Sequence, residues 1–188
     1  MKTAHYFQIR SILVCLTALL IAEPVLAIPA QNKWVVENQY IKLVMIARTP
    51  EQMAAFYEAR GFPKTAIQAL GQMCFITTSL RNKSQKVIWM TLANWKFTSK
   101  QGPLKRFHRN ELKARWQKIG LAQQYQSTFR WTLIPEVLDY RPGEREGGNF
   151  VLQRTAEPFS FQAQFAIGAE EDGQSFSVQI KDLRCAED

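Results

Sequence analysis

Residues 159–167, "FSFQAQFAI", alternate strictly: Phe159, Phe161, Ala163, Phe165 and Ile167 fall on one side of an extended chain, with Ser160, Gln162 and Gln164 on the other. Successive side chains of a strand point to opposite faces, whereas a helix would scatter these three phenylalanines around its circumference. The stretch therefore predicts a strand in an antiparallel sheet with one face in a core and one in water. The same period of two recurs at 40–47 ("YIKLVMIA"), 73–80 ("MCFITTSL"), 127–134 ("STFRWTLI", with Phe129, Trp131 and Leu133 in phase) and "GNFVLQR". "KVIWMTLANWKF" reads as a second strand pair or as one long bent strand. Phe176, Val178 and Ile180 alternate again, but Leu183 and Cys185 have the opposite parity, so a bulge is expected near Lys181 and Asp182.

Two segments break this period. Thr49 as N-cap, Pro50 at the first helical position and Gln52 three after the cap form a capping box. Met53, Phe56 and Tyr57 then supply an apolar stripe until Gly61 and Pro63 stop the helix, at about 49–60. Residues 103–120 predict a second helix, about 104–119, entered at Asn110 and closed by Gly120. Pro142-Gly143 suits the centre of a type II turn.

About seven short strands separated by turn signals, with a Cys near each end, predict a mainly β fold: an Ig-like antiparallel β-sandwich carrying the N-terminal helix and the inserted basic helix. The rhythm of "SLRNKSQKVIW", "YRPGEREGGNFVL" and "FSVQIKDLRC" resembles that of bacterial extracellular Ig-like (telokin-like) domains over Met73 to Cys185. Those domains serve mostly as binding or accessory modules, so the resemblance implies no catalytic residues. The two helices depart from a plain sandwich.

The first 27 residues read as a secretory signal peptide: Lys2, His5 and Arg10 precede the apolar run "SILVCLTALLIA", and Val25 and Ala27 are small residues suited to cleavage after Ala27. The apolar run is shorter than the roughly 20 residues of a membrane span. A single domain over 28–188 is expected, in a periplasmic or secreted location. Cys74 and Cys185 remain after processing, and in an oxidising compartment two cysteines most simply form one disulfide, two free buried thiols being the alternative.

No catalytic, cofactor or metal signature emerges. His108 is the one histidine after residue 27, no acid near it in sequence would orient it, and a solvated surface position is the plainer reading. The remaining cysteines and this histidine lack zinc spacing, and Met45, Met53, Met73 and Met90 are scattered through apolar segments as core residues would be. Glu136, Asp139, Glu144 and Glu146 lie near Arg141 and Arg145, which can pair with them. Trp89 and Trp131 are in phase with core positions, leaving Trp34, Trp95 and Trp116 as candidates for stacking on a sugar.

The charge is unevenly placed. Of 24 basic and 16 acidic residues, 22 and 15 lie beyond residue 27, a surplus of +7. Residues 100–118 carry +6 of it. With Leu104, Phe107, Leu112, Trp116 and Ile119 on an apolar side, Lys105, Arg106, Arg109, Lys113 and Lys118 are expected to be largely exposed. They would dock an anionic partner, protein or envelope component, or touch anionic lipid with Trp116 at the interface. Export argues against nucleic acid. A non-enzymatic interaction or accessory role is therefore expected, with a carbohydrate-binding module or a hydrolase whose site is assembled by the fold as alternatives.

Overall fold

The computed structural model describes residues 32–171 and 173–187. The expected signal peptide lies outside these described residues. The chain runs β1 (Lys33–Glu37), β2 (Ile41–Arg48), α1 (Pro50–Glu58), α2 (Lys64–Gly71), β3 (Met73–Asn82), β4 (Ile88–Thr91), a 3-10 turn (Leu92–Asn94) and β5 (Lys96–Ser99). It continues through β6 (Gly102–Pro103), α3 (Arg109–Lys118), α4 (Gln123–Trp131), β7 (Val137–Tyr140), β8 (Arg145–Gln153), β9 (Phe159–Ile167) and β10 (Gln174–Leu183). The protein is mainly β, with two antiparallel sheets: β1-β2-β3-β8, and β6-β5-β9-β4-β7 with β10 on the other edge of β9.

The alternating stretch at 159–167 is the hub of the second sheet. Its five apolar side chains are all buried, Gln162 and Gln164 are exposed, and β10 pairs along its whole length. On its other edge β5 pairs with Phe159–Gln162 and β4 with Phe165–Ile167. The long bent strand is thus the correct reading of "KVIWMTLANWKF": a 3-10 turn interrupts one line of pairing and carries Trp95 into the core. The bulge falls where the parity slipped, between Ile180 and Leu183, with Asp182 at φ 58°.

The inner faces of the two sheets share one core, in which Ile41, Leu43, Ile76 and Phe150 meet Phe161, Phe165 and Ile180. Cys74 of β3 and Cys185, just past β10, sit with their sulfurs at bonding distance and Cα atoms 5.4 Å apart, tying one sheet to the other.

A second core lies on the opposite face of β3 and β8, where Phe75 and Val151 pack against Tyr57, Phe62, Trp116 and Phe129 from the helices. Hence Cys74, Phe75 and Ile76 are consecutively buried, as are Phe150, Val151 and Leu152. A strand covered on both faces shows a continuous apolar run rather than alternation. The arrangement is three layers, helices on sheet on sheet. It bears out the antiparallel sandwich with helices but does not confirm the likeness to telokin-like Ig domains.

The N-terminal helix forms as its residues dictate: Gln52 N–H donates to Thr49 Oγ1 (3.1 Å) and Thr49 N–H to Gln52 Oε1 (3.3 Å). Met53 and Tyr57 are buried, whereas Phe56 lies at the rim beneath the Arg60 guanidinium, 3.5 Å from its ring centroid. Pro63 then opens α2, which the sequence reading did not anticipate.

Two expectations are corrected. The basic helix starts at Arg109 with His108 as its N-cap, not Asn110, and Glu111 Oε2 accepts the His108 N–H at 2.9 Å. The preceding residues are held by strands: Leu104 N–H donates to Phe97 O, Phe107 N–H to Val151 O, and Lys105 O accepts from Gln153. This covers the free edge of β8, an edge that would otherwise present unpaired backbone groups. Gly120, at φ 67°, closes the helix as expected.

"STFRWTLI" is mostly helix, not strand. Leu121, Tyr125, Phe129 and Leu133 recur every four residues and all join the helical core. The shorter period-two pattern of Phe129, Trp131 and Leu133 loses to this longer one, and Trp131 ends 87% exposed instead of in the core. After α4 the chain bonds to β8, with Asn149 N–H donating to Thr132 O and Ile134 N–H to Asn149 O. The approach is close: a Cβ on Gly148 would lie 2.5 Å from Ile134 N, so a residue without one is required there.

Candidate functional site

The six residues expected to form one cationic surface are divided by the fold. Arg106 is turned inward, its side chain 9% exposed, and grips Glu136 with both terminal nitrogens (Nη1–Oε1 3.0 Å, Nη2–Oε2 2.9 Å). Lys105 is exposed but pairs with Glu111 at 2.6 Å, which holds that carboxyl below the usual range, helped by the His108 N–H. Trp116 is 1% exposed, packed edge-on to Phe129, and cannot be an interfacial anchor. Arg115 lies over the Phe107 ring, 4.1 Å from its centroid. Lys113 and Lys118 are exposed and make no ion pair among the described residues.

What remains is a cleft of about 330 Å³ between α3 and α4. His108, Arg109, Lys113 and Trp116 contribute from the α3 side, Gln126, Ser127, Phe129 and Arg130 from α4, and Leu133 and Glu136 from the segment that follows. Arg109 Nη2 donates to Leu133 O (2.7 Å), which pins the guanidinium between the helices. Burial lowers the pKa of Arg109, as does the positive charge of Arg130, while Glu136 opposes both. Three side-chain atoms of this lining are buried without a hydrogen-bond partner: Arg109 Nε, Trp116 Nε1 and Gln126 Oε1. Gln126 is oriented by its Nε2 donating to Leu121 O at 2.7 Å.

Sequence reasoning found Arg109, Lys113 and Trp116 but missed Gln126 and Arg130, because it placed Arg130 on a strand and assigned Gln126, just before that strand, to no element. The four-residue recurrence from Leu121 to Leu133 was the signal that would have put both on a helix beside α3. The fold also brings His108 the acid its sequence neighbourhood lacked: Nδ1 stands 3.8 Å from Glu136 Oε2 and 3.3 Å from Arg106 Nη2. The other carboxylates singled out gather no site. Glu144 accepts the Arg141 N–H at 2.7 Å inside the Pro142-Gly143 turn, where Gly143 has φ 79°. Among the described residues no three His, Cys, Asp or Glu side chains come together to hold a metal. Of the three tryptophans expected to stack on a sugar, Trp95 and Trp116 are buried and Trp34 packs half-buried against the core.

Fold and cleft together define a two-sheet β protein with a helical layer and a basic interhelical cleft. No family model and no curated protein matches the chain. Its backbone bears a distant likeness to the solved structure of a "putative lipoprotein (ycdA)" from Bacillus subtilis, at TM-score 0.40 and 6% identity, covering 81% of this chain. The likeness spans 39% of that protein's length.

Proposed function

We propose that this is an exported, non-enzymatic accessory protein that works by binding, and that the basic 100–118 segment holds an anionic partner. The observation that carries the reading is the concentration of +6 of the +7 surplus in that segment, with Lys113 and Lys118 exposed and unpaired among the described residues. Export is supported by the N-terminal sequence and by the cysteine pair, a feature of oxidising compartments. Among the described residues no helix is long and apolar enough to cross a membrane. Arg106 belongs to the scaffold, so the test uses Lys113→Glu with Lys118→Glu: cross-linking capture of the partner from the cell envelope should fall sharply and in a salt-sensitive way. Capture unchanged by the double reversal overturns the reading.

A catalytic alternative rests on one observation, the presence of His108, Glu136 and Ser127 in the same cleft. Nucleophilic catalysis needs the nucleophile within hydrogen-bond reach of its base, and no hydrogen bond joins Ser127 to His108 among the described residues. Hydrolysis of model esters that is lost in His108→Ala and Ser127→Ala would favour it.

A further inference from the structure

We infer that the cleft between α3 and α4 is a binding site for a small hydroxylated organic anion, whose carboxylate or phosphate head meets Arg109 and Trp116 and whose hydroxyl meets Gln126. This rests on reading the basic segment as anion-binding, and it gives that surface a ligand class and a pocket.

The first support is the clustering of unpaired polar atoms. Of four buried side-chain N and O atoms without a partner among the described residues, three belong to residues lining this one cleft: Arg109 Nε, Trp116 Nε1 and Gln126 Oε1. A buried donor or acceptor left unpaired costs about 1–3 kcal/mol, and folded proteins carry few such groups. Their chemistry is also complementary to one kind of molecule. Two N–H donors suit an oxyanion, and the amide oxygen of Gln126, fixed by its own bond to Leu121 O, needs a donor from the ligand.

The second support is charge. Arg109, Lys113 and Arg130 surround the cleft, while its one carboxylate, Glu136, is engaged by both terminal nitrogens of Arg106. Arg109 and Arg130 repel each other across the gap, and an anion between them removes that penalty. The third is size. About 330 Å³ lies at the lower end of small-molecule sites, roughly 300–1,000 Å³, and Leu112, Phe129 and Leu133 provide an apolar wall for the ligand's body. The three unpaired atoms are closed off from water, so a ligand reaches them only when lining side chains move aside.

Isothermal titration with glucuronate, 3-hydroxybenzoate, glycerol 2-phosphate and inorganic phosphate tests this, the first two against the third separating carboxylate from phosphate ester. At least one organic probe should bind saturably at one site per chain. Arg109→Lys keeps the charge but removes the Nε–H, and should weaken that probe about tenfold, as losing one charge-assisted hydrogen bond does. Gln126→Glu should abolish binding, and Lys113→Gln on the exposed rim should weaken it without endangering the fold. Lys33→Gln, exposed on β1 and outside the cleft, should leave it unchanged. No saturable binding by any probe up to about 10 mM, or equal affinity in wild type, Arg109→Lys and Gln126→Glu, overturns the inference. So does binding of inorganic phosphate alone. If the envelope partner is still captured through Lys113 and Lys118 in that case, the pocket fails while the broader function stands.

Discussion

Arg106 and Glu136, thirty residues apart in sequence, form a two-pronged ion pair with both contacts at or below 3.0 Å and the guanidinium almost wholly shielded. The pair joins the segment that leads into α3 to the strand region that follows α4, and so holds the two ends of the helical insertion together. Cutting one partner leaves a desolvated charge behind, which costs far more than an exposed pair is worth. Glu136→Gln, which leaves the shielded guanidinium unpaired, should lower the unfolding free energy by about 2–4 kcal/mol, and Arg106→Ala, which leaves Glu136 with its side chain 35% exposed, should cost less. In a double-mutant cycle the two effects should fall well short of additive. Additive losses in urea denaturation would show that the pair carries no coupling.

The disulfide should matter more than any single contact. A bond between residues separated by 111 positions removes about 4–5 kcal/mol of chain entropy from the unfolded state in the simple loop model. Cys74→Ser with Cys185→Ser should therefore move the urea midpoint down substantially, and reducing agent should do the same to wild type. Free thiols titrating in the unreduced native protein would contradict the pairing.

Helix and strand readings of α4 differ in what they ask of two aromatic residues. As a helix, Phe129 faces the core and Trp131 faces water. Phe129→Ala should cost about 3–5 kcal/mol, and Trp131→Ala should stay within about 0.5 kcal/mol of wild type. Similar losses at both positions would restore the strand, in which they share a face.

Tyr57 makes alkaline stability informative. Burial pushes its phenol up to about 12, against the smaller opposing effects of its 2.7 Å hydrogen bond with Thr132 and of Arg60. A folded-state pKa above the unfolded value means the native protein holds the proton longer, so stability is intact below pH 10 and is lost as pH rises from 10 towards 12. Burial also raises Tyr140, so two phenols contribute to the loss. Tyr57→Phe should cost about 1 kcal/mol at neutral pH through the lost hydrogen bond and flatten the decline above pH 10. An unchanged alkaline slope in that variant would remove Tyr57 as a cause.

Features set by neighbours in sequence were legible without the fold. The Thr49–Gln52 capping box, the Gly120 stop, the alternation at 159–167 and the parity slip before Leu183 each depend on a few adjacent residues, and each appears where expected. The charge of 100–118 was equally plain, because counting charges needs no geometry. Its division into a scaffold arginine, a buried indole and a cationic cleft was not. Glu136, Gln126 and Arg130 reach α3 only once α4 packs against it, and the five-residue apolar pattern from Phe129 to Leu133 fits either period until Phe75 and Val151 present a second apolar face to be covered. Local residues determined which elements could form; the need to bury both faces of β3 and β8 decided which side of the basic helix met water and which closed over a pocket.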